Sequence, residues 1–211
     1  RRLGTEPLGR LMVSLAVPAV AAQLINVLYN IVDRIYIGHI AGYGDVALTG
    51  VGLTFPIITL IAAFSAFAGM GGAPLASIEL GKKNIKEAEQ ILGNSAGMIA
   101  VFSVILMIGF AVFKTPVLYA FGASEATIGY AESYIEIYLI GTFFVQIAVG
   151  LNTFISGQGE SKTAMLSVVI GAVLNICLDP VMIFGLKLGV RGAALATIIS
   201  QAVSAAWVIR F

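Results

Sequence analysis

Six long apolar runs leave this chain few ways to fold. A helix needs about 20 mainly apolar residues to cross the hydrocarbon core of a bilayer. Runs of that order recur at about 11–37, 46–75, 91–113, 131–156, 163–184 and 192–211. Only 11% of the 211 residues are charged, 59% are hydrophobic and the mean hydropathy is +0.99. Soluble domains carry about 25% charged residues. The expected fold class is therefore an all-α membrane protein, a bundle of six transmembrane helices across residues 1–211. No connection is long enough to be a separate soluble domain.

The connections are polar and mostly short. Glu79–Gln90 holds Lys82, Lys83, Lys86, Glu87 and Glu89 and reads as a short surface helix or loop. Lys114–Thr115–Pro116 reads as the stop of the third span, and Ser124 as a helix start. Gly157–Gln158–Gly159–Glu160–Ser161–Lys162 reads as a tight turn. Lys and Arg counts in the loops orient the chain. With the N-terminus inside, the inner side holds Arg1, Arg2, Arg10, Lys82, Lys83, Lys86, Lys162 and Arg210. The outer side holds Lys114, Lys187 and Arg191. Eight against three predicts that both ends face the cytoplasm of a cell-membrane, multi-pass protein. Arg1, Arg2 and Arg10 ahead of an apolar run also resemble a signal peptide. The apolar character continues past Ala21 to Ile37, which favours a retained first span. A chain that opens on Arg1 and stops at Phe211 while still apolar is expected to be a piece of a longer protein.

Polar residues inside spans are costly and mark function. In the first span Gln23, Asn26, Asn30 and Asp33 are spaced three, four and three apart, so a helix puts them on one face, with Tyr29 beside them. In the fifth span Asn175 and Asp179 are four apart and share a face. Pro180 follows, and its ring disturbs the preceding turn. Two intramembrane aspartates thus each travel with an asparagine. Two carboxylates close together in low dielectric do not both stay ionised cheaply. One takes a proton, or a cation such as Na⁺ sits among carboxylate, amide and hydroxyl oxygens. Thr197 and Gln201 on the sixth span are candidates to add to that set. A bland alternative has Asp179 capping a helix near the outer surface. Arg34 is expected to snorkel towards the interface rather than pair with Asp33, because adjacent helix positions point different ways.

Softer marks remain. Gln146 and Asn152 lie deep in the fourth span and are candidate cavity residues. Tyr130, Tyr134 and Tyr138 fit an aromatic belt, with Glu132 and Glu136 solvated at the outer interface. Pro18 and Pro56 predict kinks. Gly69–Met70–Gly71–Gly72 reads as helix packing.

Enzyme readings fail. Gly93–Asn94–Ser95–Ala96–Gly97 spells a hydrolase elbow, but it opens a membrane helix, and the single histidine, His39, comes before it. There is no His-Glu-x-x-His and no phosphate-binding loop lysine. The single cysteine, Cys177, has no internal partner, and no cofactor site is expected. No basic face or stripe suggests nucleic acid.

Taken in order, several stretches resemble the N-terminal half of the multidrug and toxic compound extrusion (MATE) family. They are Pro18, Gln23, Tyr29–Asn30–Ile31–Val32–Asp33, Ile37–Gly38, Ala47–Leu48–Thr49–Gly50–Val51–Gly52 and Phe55–Pro56. Gly157–Lys162, Asn175–Pro180 and Gly192–Thr197 complete the likeness. The turn reads Gly-Glu-Ser-Lys where many members have Gly-Asp-Thr-Lys. The resemblance implies one six-helix lobe of a twelve-helix transporter, whose C-terminal lobe would be a partner of this one. It implies export of organic cations and other drugs by antiport with Na⁺ or H⁺, and a cation site at Asp33, Asn175, Asp179 and Thr197. Tyr29 and Asn152 match cavity-lining positions. On this reading an ion entering between Asp33 and Asp179 lets the first helix, weakened at Pro18, bend and expel the drug, with Pro180 as a second bending point. The rivals are a related flippase of lipid-linked sugars, which needs a more basic cavity than Arg34 alone supplies, and a non-transporting assembly module, which needs no buried carboxylates.

Overall fold

A computed structural model describes residues 7–211. Arg1 and Arg2, two of the inner-side charges, lie outside the described residues. No strand occurs among them. Nine α-helices follow in order: α1 Leu8–Gly38, α2 Gly44–Gly52, α3 Phe55–Gly81, α4 Ile85–Ala120, α5 Ile128–Ile140, α6 Thr142–Gly150, α7 Asn152–Gly157, α8 Ser161–Pro180 and α9 Val190–Arg210. Five units are long and apolar enough to cross a membrane, and the bent α5–α7 unit makes a sixth.

Several elements differ in extent from the sequence expectation. The polar stretch after the second span is no separate element. α3 runs on to Gly81 and α4 starts at Ile85, so only Lys82, Lys83 and Asn84 connect them. Lys83 takes a left-handed φ of 63° in that link, and Asn84 Oδ1 accepts from the Glu87 amide at 3.4 Å, capping α4. Nor do Lys114–Thr115–Pro116 stop α4, which continues through them to Ala120. Their polar groups find partners on α5: Lys114 pairs with Glu136, and the Thr115 hydroxyl donates to Glu132. Those two glutamates are therefore engaged rather than merely solvated. Ser124 opens a turn with Thr127, and α5 begins only at Ile128.

The fourth span is broken. α5 and the α6–α7 segment meet at 62°. The break falls at Gly141, where a Cβ would stand 2.4 Å from the Ile198 side chain on α9. Two hydroxyls on α3 hold the bent segment: Ser65 donates to the Gln146 carbonyl at 2.7 Å and Ser77 to that of Gly157 at 2.9 Å. Gly69 lets the two backbones meet, since a Cβ there would lie 2.4 Å from the Gly150 carbonyl oxygen. α8 ends differently again. Pro180 supplies no N–H, and the chain passes into a π-helical turn, Val181–Gly185, closed by Leu186 N–H to Val181 O at 2.8 Å. By contrast α1 stays helical through Pro18, so no break is found there.

The main apolar core gathers Ile37, Ile57, Ile61, Leu118, Ile135 and Ala193 from five helices. α1 packs mainly on α8, α3 on α4, α8 on α9, and α9 also on α5 and α6. The opposite side of α1 is uncovered: Leu24, Val27, Leu28, Ile31 and Ile35 are all exposed. Two of the three belt tyrosines face inward. Tyr134 and Tyr138 are buried and stacked at 6.3 Å, because spacing by four puts them on the face of α5 that packs against α9. Tyr130 is partly covered and stacks on Tyr43 at 5.2 Å.

Candidate functional site

Packing of α1 on α8 answers what Asp33 faces. Asp33 is buried within a helix otherwise largely exposed, and Asp179 has 0% of its surface exposed. They stand on α1 and α8, the two helices that pack most extensively against each other. Around them the sixth span adds its hydroxyl. Asn175 Nδ2 donates to Asp179 Oδ1 at 3.3 Å and to Thr197 Oγ1 at 3.4 Å, and Thr197 Oγ1 donates to the Ala193 carbonyl at 3.0 Å. Tyr29 on α1 borders the same space as Asn175 and Thr197, and Tyr134 is buried on α5, which packs against α9. Arg34 makes no salt bridge with Asp33: it is exposed, with its guanidinium 5.5 Å from the centre of the Phe55 ring.

Acceptors outnumber donors at this centre. Asp33 Oδ1, Asp179 Oδ2 and Asn175 Oδ1 are all buried with no hydrogen-bond partner. A buried polar atom left unpaired costs about 1–3 kcal/mol, more when charged. Three unpaired acceptors from two carboxyl groups and an amide call for something positive. A proton on one carboxyl reduces the shortfall, and a monovalent cation suits such an oxygen set. Helix spacing sets the geometry, since residues four apart on α8 present Asn175 and Asp179 to one side.

Next to this centre lies a cavity of about 250 Å³ between α1, α6, α7, α8 and α9. Gln23, Asn26 and Tyr29 line it from α1, Asn152 from α7, Asn175 from α8, and Thr197 with Gln201 from α9. Asn152 Nδ2 donates to the Ala164 carbonyl at 3.2 Å, and its Oδ1 is buried without a partner. Two expected cavity residues are placed elsewhere. Asn30 is exposed and turned back on its own helix, donating to the Asn26 carbonyl at 2.7 Å. Gln146 is fully buried on α6, away from the cavity wall, with neither amide atom paired. The sequence reading also missed the serines at 167, 200 and 204, which line the cavity. Their spacing on α9, with Thr197, was a readable signal: polar residues at 197, 200, 201 and 204 fall along one helix face.

Comparison with known proteins agrees with this architecture. The MatE family model matches residues 18–181. The chain belongs to the MatE family. It is 30% identical over 193 residues to the multidrug export protein MepA of Staphylococcus haemolyticus (strain JCSC1435), covering 92% of this chain and 42% of that protein. It is 29% identical over 199 residues to the probable multidrug resistance protein NorM of Thermotoga maritima, again covering 92% of this chain and 42% of the relative. A solved structure described as MATE in the bent conformation superposes with a TM-score of 0.87 at 29% identity, over 95% of this chain and 44% of that one. The chain thus spans less than half the length of these relatives, and its six-span bundle corresponds to one lobe of a MATE transporter.

Proposed function

We propose that this lobe is the ion-coupling half of a multidrug exporter that moves organic cations or other drugs out of the cell in exchange for Na⁺ or H⁺. The observation that carries the reading is the acceptor-rich centre at Asp33, Asn175, Asp179 and Thr197. Its unpaired oxygens suit a proton or Na⁺ as the exchanged cargo. Relatives named for multidrug export support the substrate class. Gln23, Asn26, Tyr29 and Asn152 form the polar wall against which part of a drug rests. The exposed apolar side of α1 packs against the second lobe of the same transporter. Pro18 and Pro180 serve as bending points, and both ends of this segment face the cytoplasm of the cell membrane. A flippase of phosphate-bearing lipids is disfavoured, because Arg34 lies on Phe55, away from the cavity.

Efflux of a fluorescent lipophilic cation from cells carrying the full-length protein tests this. Either a Na⁺ or a proton gradient is imposed, and Asp33→Asn and Asp179→Asn are run alongside. Efflux driven by one gradient and lost in both variants, at normal membrane abundance, is expected. Undiminished pumping by both variants refutes the assignment.

A further inference from the structure

We infer that the cavity carries a water-filled arm along its α8–α9 wall, by which the coupling ion passes between the carboxylates and the cytoplasmic end of this lobe. The inference rests on the antiport reading and adds the ion's route to it.

That wall carries a row of buried hydroxyls set among apolar residues such as Ala164, Met165 and Val168. Ser161 and Ser167 from α8, and Thr197, Ser200 and Ser204 from α9, all line the cavity and are all buried. Lipid-facing positions on the same helices are apolar instead, as at Leu166, Val173, Ile199 and Val203. Serines that only eased helix packing would satisfy themselves on backbone carbonyls. Ser167 and Ser204 do so, donating to the Ala164 and Ser167 carbonyls at 2.8 and 2.9 Å. Ser200 does not. Its hydroxyl is buried, lines the cavity and has no partner, as does the Oδ1 of Asn175 one step nearer the carboxylates. A polar cavity with such atoms holds water, whereas dry cavities are apolar.

The arm is long. From Asn175 to Ser161 the helix advances about 21 Å, at 1.5 Å per residue, against a hydrocarbon core of about 30 Å. Its upper end touches Asp179 through Asn175. Its lower end reaches Ser161 and the exposed Ser156, at the turn that carries Lys162. Between them Gly171 faces Ser204, and a Cβ at 171 would stand 2.4 Å from the serine hydroxyl. The glycine lets α8 and α9 approach closely along this wall.

Thiol labelling of the full-length transporter in membrane vesicles tests the route. Cys177→Ser, with any cysteine beyond this chain also replaced, gives the background. Ser200→Cys and Ser204→Cys report on the arm, and Val203→Cys on the lipid side of the same helix. A membrane-impermeant, positively charged methanethiosulfonate reagent is applied to inside-out and right-side-out vesicles without drug or ion gradient. We expect the cytoplasmic reagent to label positions 200 and 204 at least tenfold faster than position 203, and tenfold faster than the same reagent added outside. Labelling no faster than at 203, or labelling only from outside, overturns the proposal. Labelling needs no transport, so a failure of drug efflux and a failure of the arm are separately visible.

Discussion

Gly192 offers a direct way to couple the scaffold to the ion site by a single methyl group. It sits in the first turn of α9, against the π-helical turn that follows Pro180. A Cβ there would lie 2.7 Å from both the carbonyl carbon and the oxygen of Met182, and 3.0 Å from the Ile183 nitrogen. Optimal carbon contacts fall at about 3.5–4.0 Å, so Gly192→Ala must open a gap of roughly 1 Å. All three obstructing atoms are backbone and have no rotamer to give. Overpacking of this kind costs about 1–3 kcal/mol. The unfolding midpoint should fall, by less than the roughly 2–4 °C per kcal/mol of a 150–250-residue domain, because the shift shrinks with protein size. The displacement also reaches the site. Thr197 follows five residues along the same helix, and its bond to Asn175 is already long at 3.4 Å. An extra ångström breaks it, so stabilisation by the coupling ion should weaken too. Gly71→Ala is the matched control, because nothing lies within 4 Å of its Cβ. Replacing a mid-helix glycine there should gain about 0.5–1 kcal/mol. Thermal unfolding of the purified full-length protein in detergent, with and without the ion, reads both variants. If Gly192→Ala melts at or above the wild type, the packing argument is wrong.

Three further outcomes are expected. Thr197→Val keeps the shape but removes the hydroxyl that accepts from Asn175; loss of about 0.5–1.5 kcal/mol should weaken apparent ion affinity about 2–10-fold, measured as the ion concentration giving half-maximal efflux. Asn84→Ala removes the cap on α4 and should destabilise by about 0.5–2 kcal/mol, seen as a lower unfolding midpoint with unchanged ion dependence. The Lys114–Glu136 pair joins α4 to α5 with side chains 20% and 50% exposed; a double-mutant cycle with alanine should return a coupling of no more than about 1 kcal/mol, and a larger value would show that the α4–α5 junction is drier than its exposure indicates.

Hydropathy made the helical class legible because a bilayer demands length and apolarity and little else. Bends and extents were less legible, since they depend on neighbours. Lys114 and Thr115 look like a stop until Glu136 and Glu132 are seen on the adjacent helix. Gly141 looks like any membrane glycine until Ile198 packs where its side chain would be. Site residues follow the same division. Asn175 and Asp179 share one helix, so their spacing put them together, and Thr197 gave only a weak hint. Asn30 keeps the same spacing, yet it faces away from the cavity and donates to its own helix, because its span is exposed along most of its length. Tyr134 read as a belt residue for want of any sign that α5 turns that face inward.

Asp33 stands on α1 and Asp179 on α8, and α1 is held mainly by that one neighbour while its other side lies open. Two ionised carboxylates across the contact repel each other and leave buried oxygens unpaired, which weakens the hold of α8 on α1. A cation shared by them, or a proton on one, removes the repulsion and ties the helices together. A ligand shifts a conformational equilibrium only by its differential affinity for the two states. On the proposed antiport reading that difference comes from Asp33, which joins the oxygens of α8 and α9 only while α1 lies against α8. Ion occupancy should therefore favour the packed α1 seen in this structure, and an empty, ionised site should favour its release. Cross-linking between cysteines placed on facing positions of α1 and α8 in the full-length protein should then become more efficient as the ion is added, and Asp33→Asn should cross-link well without it. An Asp33→Asn variant that still needs the ion for cross-linking would show that charge at Asp33 is not what loosens the helix.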